Sequence, residues 1–448
     1  MRTSFGWPQV PDRCLEAPGW ERVHASRERD AGLISGSRLS GGKCAGERDV
    51  APQGGLGNSQ DPGRLSRHRV HPPRGKVRQN SAVLLALAGM ELEGGIASVC
   101  RAMARALDAE VDAGRLAVVD RVLLHDVPAH APQPPARGTQ WLARGSQPLF
   151  AAQLWARWLW RRHELIVFDQ VGPARSLRLP LPGLPTPRYA IFCHGGELER
   201  SEKEPLASAM CGAWRLLTNS AHTGRDVTRR FPDLESRVRV TPLCIDPRRI
   251  ATWEPLGLPD ASAKREPAVL IVGRLWAEEQ GKGHDALIEA WPDIRRRIPD
   301  ARLWIVGDGD DRERLEAKAR EAGLADCVDF FRRVSDLELS RLYRRASLFA
   351  MPSRQEGFGL VYAEALWHGL PCIGSTADAA PEVIDSERTG RLVPYGDPAA
   401  LAVALAELLA DPALRRRWAE EGMRQARERF GYERFRRDLL DALDIGEH

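Results

Sequence analysis

The sequence predicts an α/β protein made of two parallel-sheet domains that face a central cleft. Three observations carry this. Short apolar runs such as Ala82–Gly89, Tyr189–Cys193, Ala268–Val272 and Ala301–Val306 recur along the chain, and helix-length segments separate them. Glycine turns stand between several of these runs and the helices that follow. A stretch rich in Pro, Ala and charge, residues 247–267, divides the alternation into two halves that repeat the same strand-then-helix step.

Composition narrows the class. A chain of 448 residues with 43% hydrophobic and 28% charged residues reads as a soluble globular protein of two or three domains. No run approaches the ~20 apolar residues of a membrane span. The N-terminus, MRTSFGWPQVPDRC, has no apolar core of a secretory signal. Eight cysteines include no C-x-x-C pair, which argues against a zinc ribbon or a disulfide framework and for reduced thiols in a cytoplasmic protein. Residues 1–80 hold 14 Lys and Arg against 8 Asp and Glu, whereas the whole chain holds 65 against 61. The basic excess therefore lies in the leader, and no nucleic-acid surface is expected on the folded part.

Taken in order, residues 1–80 are crowded with Gly, Pro, Ser and Arg and show no sustained period. They read as a disordered leader, or as an upstream extension ahead of a true start near Ala82. The first domain, 81–246, opens with the strand from Ala82. Gly94 and Gly95 then precede an amphipathic helix and serve either as a plain turn or as a ligand loop. The helix Leu149–Arg162 carries Trp155, Trp158 and Trp160 beside Arg157, Arg161 and Arg162. It suits either a membrane surface, giving peripheral association at the inner face, or packing on the sheet. His194, at the end of the strand Tyr189–Cys193, stands where parallel sheets bind ligands, or is a hydrogen-bonded structural histidine.

The second domain is read as 268–430, followed by a terminal helix in 431–448. Gly273, Arg274, Lys282 and Gly283 sit in one strand-to-helix loop, where a forked guanidinium and a point charge suit a diphosphate; two solvated surface cations are the bland alternative. Gly307 opens the turn Gly307-Asp308-Gly309-Asp310. The most informative stretch is Ser353–Ile384, a loop–helix–turn–strand unit. Glu356 and Glu364 lie eight positions apart around Gly357, Phe358, Gly359 and Leu360. Backbone N–H groups at such a helix start favour an anion, and the two carboxylates can accept hydrogen bonds from hydroxyls on either side of it.

That stretch, Glu356-GFGLVYA-Glu364 followed by Ala380-Pro381-Glu382-Val383-Ile384, resembles the E-x7-E signature of retaining glycosyltransferases with the GT-B fold. Residues 82–445 as a whole resemble family 4 of those enzymes. The resemblance implies two Rossmann-like domains with a C-terminal helix crossing back to the first. It implies a nucleotide-sugar donor held by the second domain, and a glycan or lipid-linked acceptor entering from the first. It gives Arg274 and Lys282 the donor diphosphate, Glu356 the sugar hydroxyls, Glu364 the ribose hydroxyls and His194 the donor sugar. Gly94, Gly95, Gly273, Gly307, Gly357, Phe358, Gly359 and Leu360 would line the donor site. No metal or other cofactor is expected, so Asp308 and Asp310 are not read as ligands. Arg332 stands where the family usually has glycine beside the nucleobase, a departure that bears on the base. A sugar-nucleotide epimerase on the same fold, or a non-catalytic nucleotide-sugar-binding subunit, would share the donor half. A dinucleotide oxidoreductase would need a G-x-G-x-x-G after a strand, which the chain lacks.

Overall fold

The structure, a computed structural model, describes residues 77–92, 94–178, 186–196 and 204–446. Residues 1–76 of the leader, and Glu197 after the His194 turn, lie outside them. The first domain contributes β1 (Ser81–Leu87), β2 (Leu116–Leu123), β3 (Gln140–Leu142), β4 (Leu165–Phe168), β5 (Tyr189–Cys193), β6 (Arg215–Thr218) and β7 (Val238–Val240). The second contributes β8 (Ala268–Val272), β9 (Arg302–Val306), β10 (Val328–Phe331), β11 (Leu348–Ala350), β12 (Cys372–Ser375) and β13 (Gly390–Val393). One sheet runs β3-β2-β1-β4-β5-β6-β7 and the other β10-β9-β8-β11-β12-β13. All pairings described are parallel, for example Val83 opposite Leu165 and Phe349 opposite Leu270.

Both sheets reverse direction of growth once, between β1 and β4 and between β8 and β11. In a doubly wound sheet such a point leaves a crevice at the carboxyl ends of the strands. The strands beside it are covered on both faces, which is why β1 and β4 are near-continuous apolar runs instead of alternating ones. Helix starts follow local chemistry. Ser220 caps the helix Ala221–Arg230 by accepting the Thr223 N–H at 3.0 Å, and Ser335 and Glu338 form a capping box at Asp336–Arg345.

The helix Tyr432–Ala442 lies against the first domain. Arg436 pairs with Glu110, Arg434 donates to the Pro242 carbonyl at 2.6 Å, and Val77 donates to the Asp444 carbonyl at 3.2 Å. One sequence reading changes, and the packing alternative of another is borne out. The stretch 247–267, read as a linker, begins with the helix Pro247–Trp253, because Asp246 caps it through the Arg248 N–H at 2.9 Å and proline occupies its first turn. The tryptophan helix, Gln147–Arg161, turns Trp155 and Trp158 into the core, where they meet edge-on at 5.7 Å. Only Trp160, 68% exposed, faces outward.

Candidate active site

The second domain brings its charged groups to the crevice from two strand ends, those of β8 and β11. After β8 the Gly273 N–H donates to the Val306 carbonyl at 3.0 Å. Gly307 has φ +154°, and a Cβ there would stand 1.9 Å from the Gly273 carbonyl oxygen, so the two glycines let β8 and β9 close on each other beneath the loop. Leu275 is buried and anchors that loop, while Arg274 points outward, 57% exposed, with its guanidinium 4.4 Å from the centre of the Trp276 ring. The turn Ala277–Lys282 ends at Gly283, φ +97°, which packs on Pro352 and starts the helix His284–Arg297.

Lys282 then reaches across the crevice. Its Nζ lies 3.3 Å from Glu356 Oε2 and 3.8 Å from Glu279 Oε2, and Glu279 Oε1 accepts from Arg274 Nη2 at 2.6 Å. Arg274, Glu279, Lys282 and Glu356 thus form one alternating chain of charge. Glu279 is the missed member: its carboxylate bridges the two cations that the resemblance assigns to a diphosphate.

Glu356 is fixed from behind by Asp378, another residue that carries no motif signal. Asp378 accepts the Ser353 hydroxyl, the Glu356 N–H at 3.2 Å and the Ala380 N–H at 2.9 Å. Burial pushes its carboxyl up to about 6 despite these donors. Gly359, φ +88°, begins the helix Leu360–Trp367. Phe358 is buried edge-on against Phe430 at 5.8 Å, which leaves its backbone, not its ring, at the crevice.

The first domain meets this cluster mostly with backbone. A Cβ on Gly357 would lie 1.9 Å from the His194 carbonyl oxygen, and one on Gly95 3.5 Å from Leu360 Cδ1. Gly94, φ +102°, starts the helix Gly95–Asp112, and Asp126 holds the loop before it by accepting the Met90 and Glu91 N–H groups at 2.7 and 3.0 Å. His194 Nε2 lies 2.8 Å from the Asp169 carbonyl oxygen, and the ring stacks on Phe192 at 5.1 Å. Asp169 is fully buried beneath it, accepts the Ala88 N–H at 3.0 Å, and burial pushes its carboxyl up to about 6. The lobes are also tied directly. Ser220 Oγ donates to the Gly357 carbonyl at 2.6 Å, and the Glu382 carboxylate accepts the Ala221 and His222 N–H groups at 2.7 and 2.6 Å.

Arg274, Lys282, Glu356, the Gly357–Leu360 backbone, Gly95 and the His194 turn therefore share one crevice. Glu364 stands one helical turn past Leu360 on the same helix. It is 3% exposed, pairs with Arg249, and accepts the Tyr343 hydroxyl at 3.2 Å. Asp308 and Asp310 are engaged locally, Asp308 with Arg332 at 3.6 Å and Asp310 with the Ala277 N–H at 2.9 Å.

Two doubly wound sheets facing each other across such a crevice define the GT-B architecture. Residues 266–411, within the second domain, match the model of the glycosyl transferases group 1 family. The chain is 36% identical over 196 residues to the GDP-mannose-dependent alpha-(1-6)-phosphatidylinositol monomannoside mannosyltransferase of Mycolicibacterium smegmatis, covering 42% of this chain and 46% of the relative. It is 32% identical over 242 residues to the D-inositol 3-phosphate glycosyltransferase of Xylanimonas cellulosilytica, covering 50% and 55%. The matches thus span about half the length of these curated relatives. Among solved structures, a sucrose-phosphate synthase from Thermosynechococcus elongatus superposes with a TM-score of 0.64 at 23% identity, covering 81% of this chain and 98% of that one. Anabaena HepE in complex with UDP-glucose gives 0.61 at 19%, covering 81% and 99%. These two likenesses carry the fold alone.

Among the described residues, no helix is long and apolar enough to cross a membrane, and the six cysteines are free thiols.

Proposed function

We propose that this protein is a retaining glycosyltransferase that moves a sugar from a nucleotide-sugar donor to a glycan or lipid-linked acceptor. The observation that carries the proposal is the Lys282–Glu356 pair at the crevice, with Arg274 alongside and the Gly95 and His194 loops opposite. The names of the relatives matched over about half their length support the reading: a GDP-mannose-dependent mannosyltransferase for a hexosyl donor, and a phosphatidylinositol monomannoside or inositol phosphate for the acceptor chemistry.

As the bond from the anomeric carbon to the β-phosphate oxygen breaks, positive charge grows on the sugar and negative charge on the departing diphosphate. Arg274, Lys282 and the amides at the start of the helix Leu360–Trp367 stabilise that diphosphate and supply the charge a metal ion supplies elsewhere. Glu356 orients the sugar hydroxyls. The acceptor hydroxyl attacks from the face the diphosphate leaves, and its proton passes to the departing phosphate oxygen, so no protein base is required. The interlobe ties through Ser220 and Glu382 keep water out of the closed crevice.

A lipid-linked acceptor would place the enzyme at a membrane surface, where exposed Leu149 and Trp160 on the helix Gln147–Arg161 and neighbouring Arg161 and Arg162 would dock peripherally. The test is incubation with a panel of UDP-, GDP- and ADP-sugars, with and without candidate acceptors. Transfer to an acceptor with the anomeric configuration kept upholds the proposal. Donor turnover without any acceptor would indicate the epimerase, and donor binding without turnover the non-catalytic subunit.

A further inference from the structure

Glu364, the second carboxylate of the E-x7-E stretch, is held by a residue from outside both sheets. Arg249 lies in the first turn of the hinge helix Pro247–Trp253. Its Nη1 donates to Glu364 Oε1, its Nε lies 3.2 Å from Asp336 Oδ1, and its guanidinium stands 5.6 Å from the centre of the Trp253 ring. The hinge helix is itself fixed to the first domain, because its capping Asp246 accepts from Arg101 Nε at 2.6 Å. Asp336 begins the helix Asp336–Arg345 that follows β10. One guanidinium therefore joins the lobe connection, the E-x7-E helix and the helix Asp336–Arg345.

We propose that Arg249 is a positioning residue of the nucleoside site, holding the Glu364 carboxylate in place for the ribose hydroxyls of the donor and tying that grip to the hinge between the lobes. The inference rests on the donor-binding reading above. A carboxylate has about four lone-pair sites. Arg249 and the Tyr343 hydroxyl each occupy one, so each oxygen keeps a second for a ribose O–H.

The surroundings explain why a cation is needed there. Burial pushes the Glu364 carboxyl up, and Arg249 is the chief influence drawing it back. The other groups facing it are Tyr343 and Asp336 from the helix Asp336–Arg345, and His368 at the end of its own helix, whose Nδ1 lies 2.7 Å from the Glu364 carbonyl oxygen. His368 stacks on Tyr343 at 5.0 Å, with Arg265 and Arg344 beyond it. Tyr343 donates only one hydrogen bond and Asp336 raises the carboxyl further. Without Arg249 the buried acid takes a proton and loses acceptor strength.

The test is calorimetric titration of the full chain with UDP, GDP and ADP, then with the 2′,3′-dideoxy form of the tightest binder. The wild type should prefer the ribose form by about 10- to 100-fold, the worth of hydrogen bonds to a charged acceptor. Arg249→Met should reduce that preference to within about threefold near pH 7 and regain part of it as the pH is raised and Glu364 ionises. Arg249→Lys should retain most of it, and if the Met variant does not fold, a Lys variant short of wild-type preference at pH 7 carries the test. A variant with the full wild-type preference, or one that loses both ligands equally, overturns the inference and makes Arg249 architectural. A wild type that binds diphosphates without preferring ribose also overturns it. A wild type that binds none of the three overturns the donor-binding reading instead.

Discussion

The two lobes meet the crevice by different means. The second domain sends out long charged side chains, Arg274, Lys282 and Glu356, from loops locked by glycines and by Asp378. The first domain presents glycine backbone and the His194 turn, braced from below by the buried carboxylates Asp126 and Asp169. Fixed charge suits a ligand whose charge never varies, such as a nucleoside diphosphate. Backbone and short loops suit a partner recognised by shape. On the function proposed above, the comparison separates a donor side, where single side chains carry the energy, from an acceptor side, where loop position carries it.

The sharpest way to break this contrast is to remove one cation. Lys282→Ala should lower the transfer rate by about 100- to 1000-fold, with an unchanged melting temperature, because its stabilisation is made in the transition state. Steady-state kinetics beside thermal unfolding decide the matter, and an active variant would move the donor site elsewhere. Glu356→Ala should follow it in direction.

Acid should separate the domains next. His284, directly behind Lys282, has a buried Nε2 with no hydrogen-bond partner; burial, helped by Lys282, pulls its imidazole down to about 4. A depressed folded value means that its contribution is present above the unfolded value near 6.5 and is lost as pH falls toward about 4, roughly 3 kcal/mol in all. Asp169, raised to about 6, has the opposite sign: its contribution is present below the ordinary carboxylate range and is lost as pH rises through about 6. Urea unfolding across this range should show a shallower acid loss for His284→Gln and a steeper one for Asp169→Asn. Parallel curves would refute both assignments.

A smaller effect tests the acceptor side alone. Asp126→Ala removes two acceptors from the loop before Gly94 and should cost about 2 kcal/mol of stability, leaving unmet the buried Met90 N–H and the part-buried Glu91 N–H. Donor affinity, measured by calorimetry, should change by less than about threefold if the lobes divide the work as described. The smallest change sharpens the donor side. Glu279→Gln withdraws the carboxylate that bridges Arg274 and Lys282, and nucleoside diphosphate should then bind about 3- to 10-fold tighter. Weaker binding would make Glu279 a support for the cations and not a competitor.

Much of this architecture was legible in the sequence. The apolar runs that became β5 and β8 had no other use than central strands, and the end of Tyr189–Cys193 fell where the pattern put it. The charged cluster was legible because Arg274, Lys282 and Glu356 stand beside glycines that only a tight turn requires. Strand β3, with three residues, was too short to show a period, and the hinge helix was hidden in a composition that reads as linker. The tryptophan helix was ambiguous because Trp suits a core and a membrane surface equally; only the packing of Trp155 and Trp158 distinguished them.

By itself, then, the sequence determined where strands, turns and formal charges occur, since those depend on neighbours within a few positions. Only the tertiary structure decided which charges meet. The pairing of Lys282 with Glu356, the Asp378 clamp on the loop, the Glu382 tie between lobes and the capture of Glu364 by Arg249 all join residues far apart in the chain. Such contacts follow from which strands lie beside the two switch points, and no local pattern encodes the side chain that a distant loop will present there.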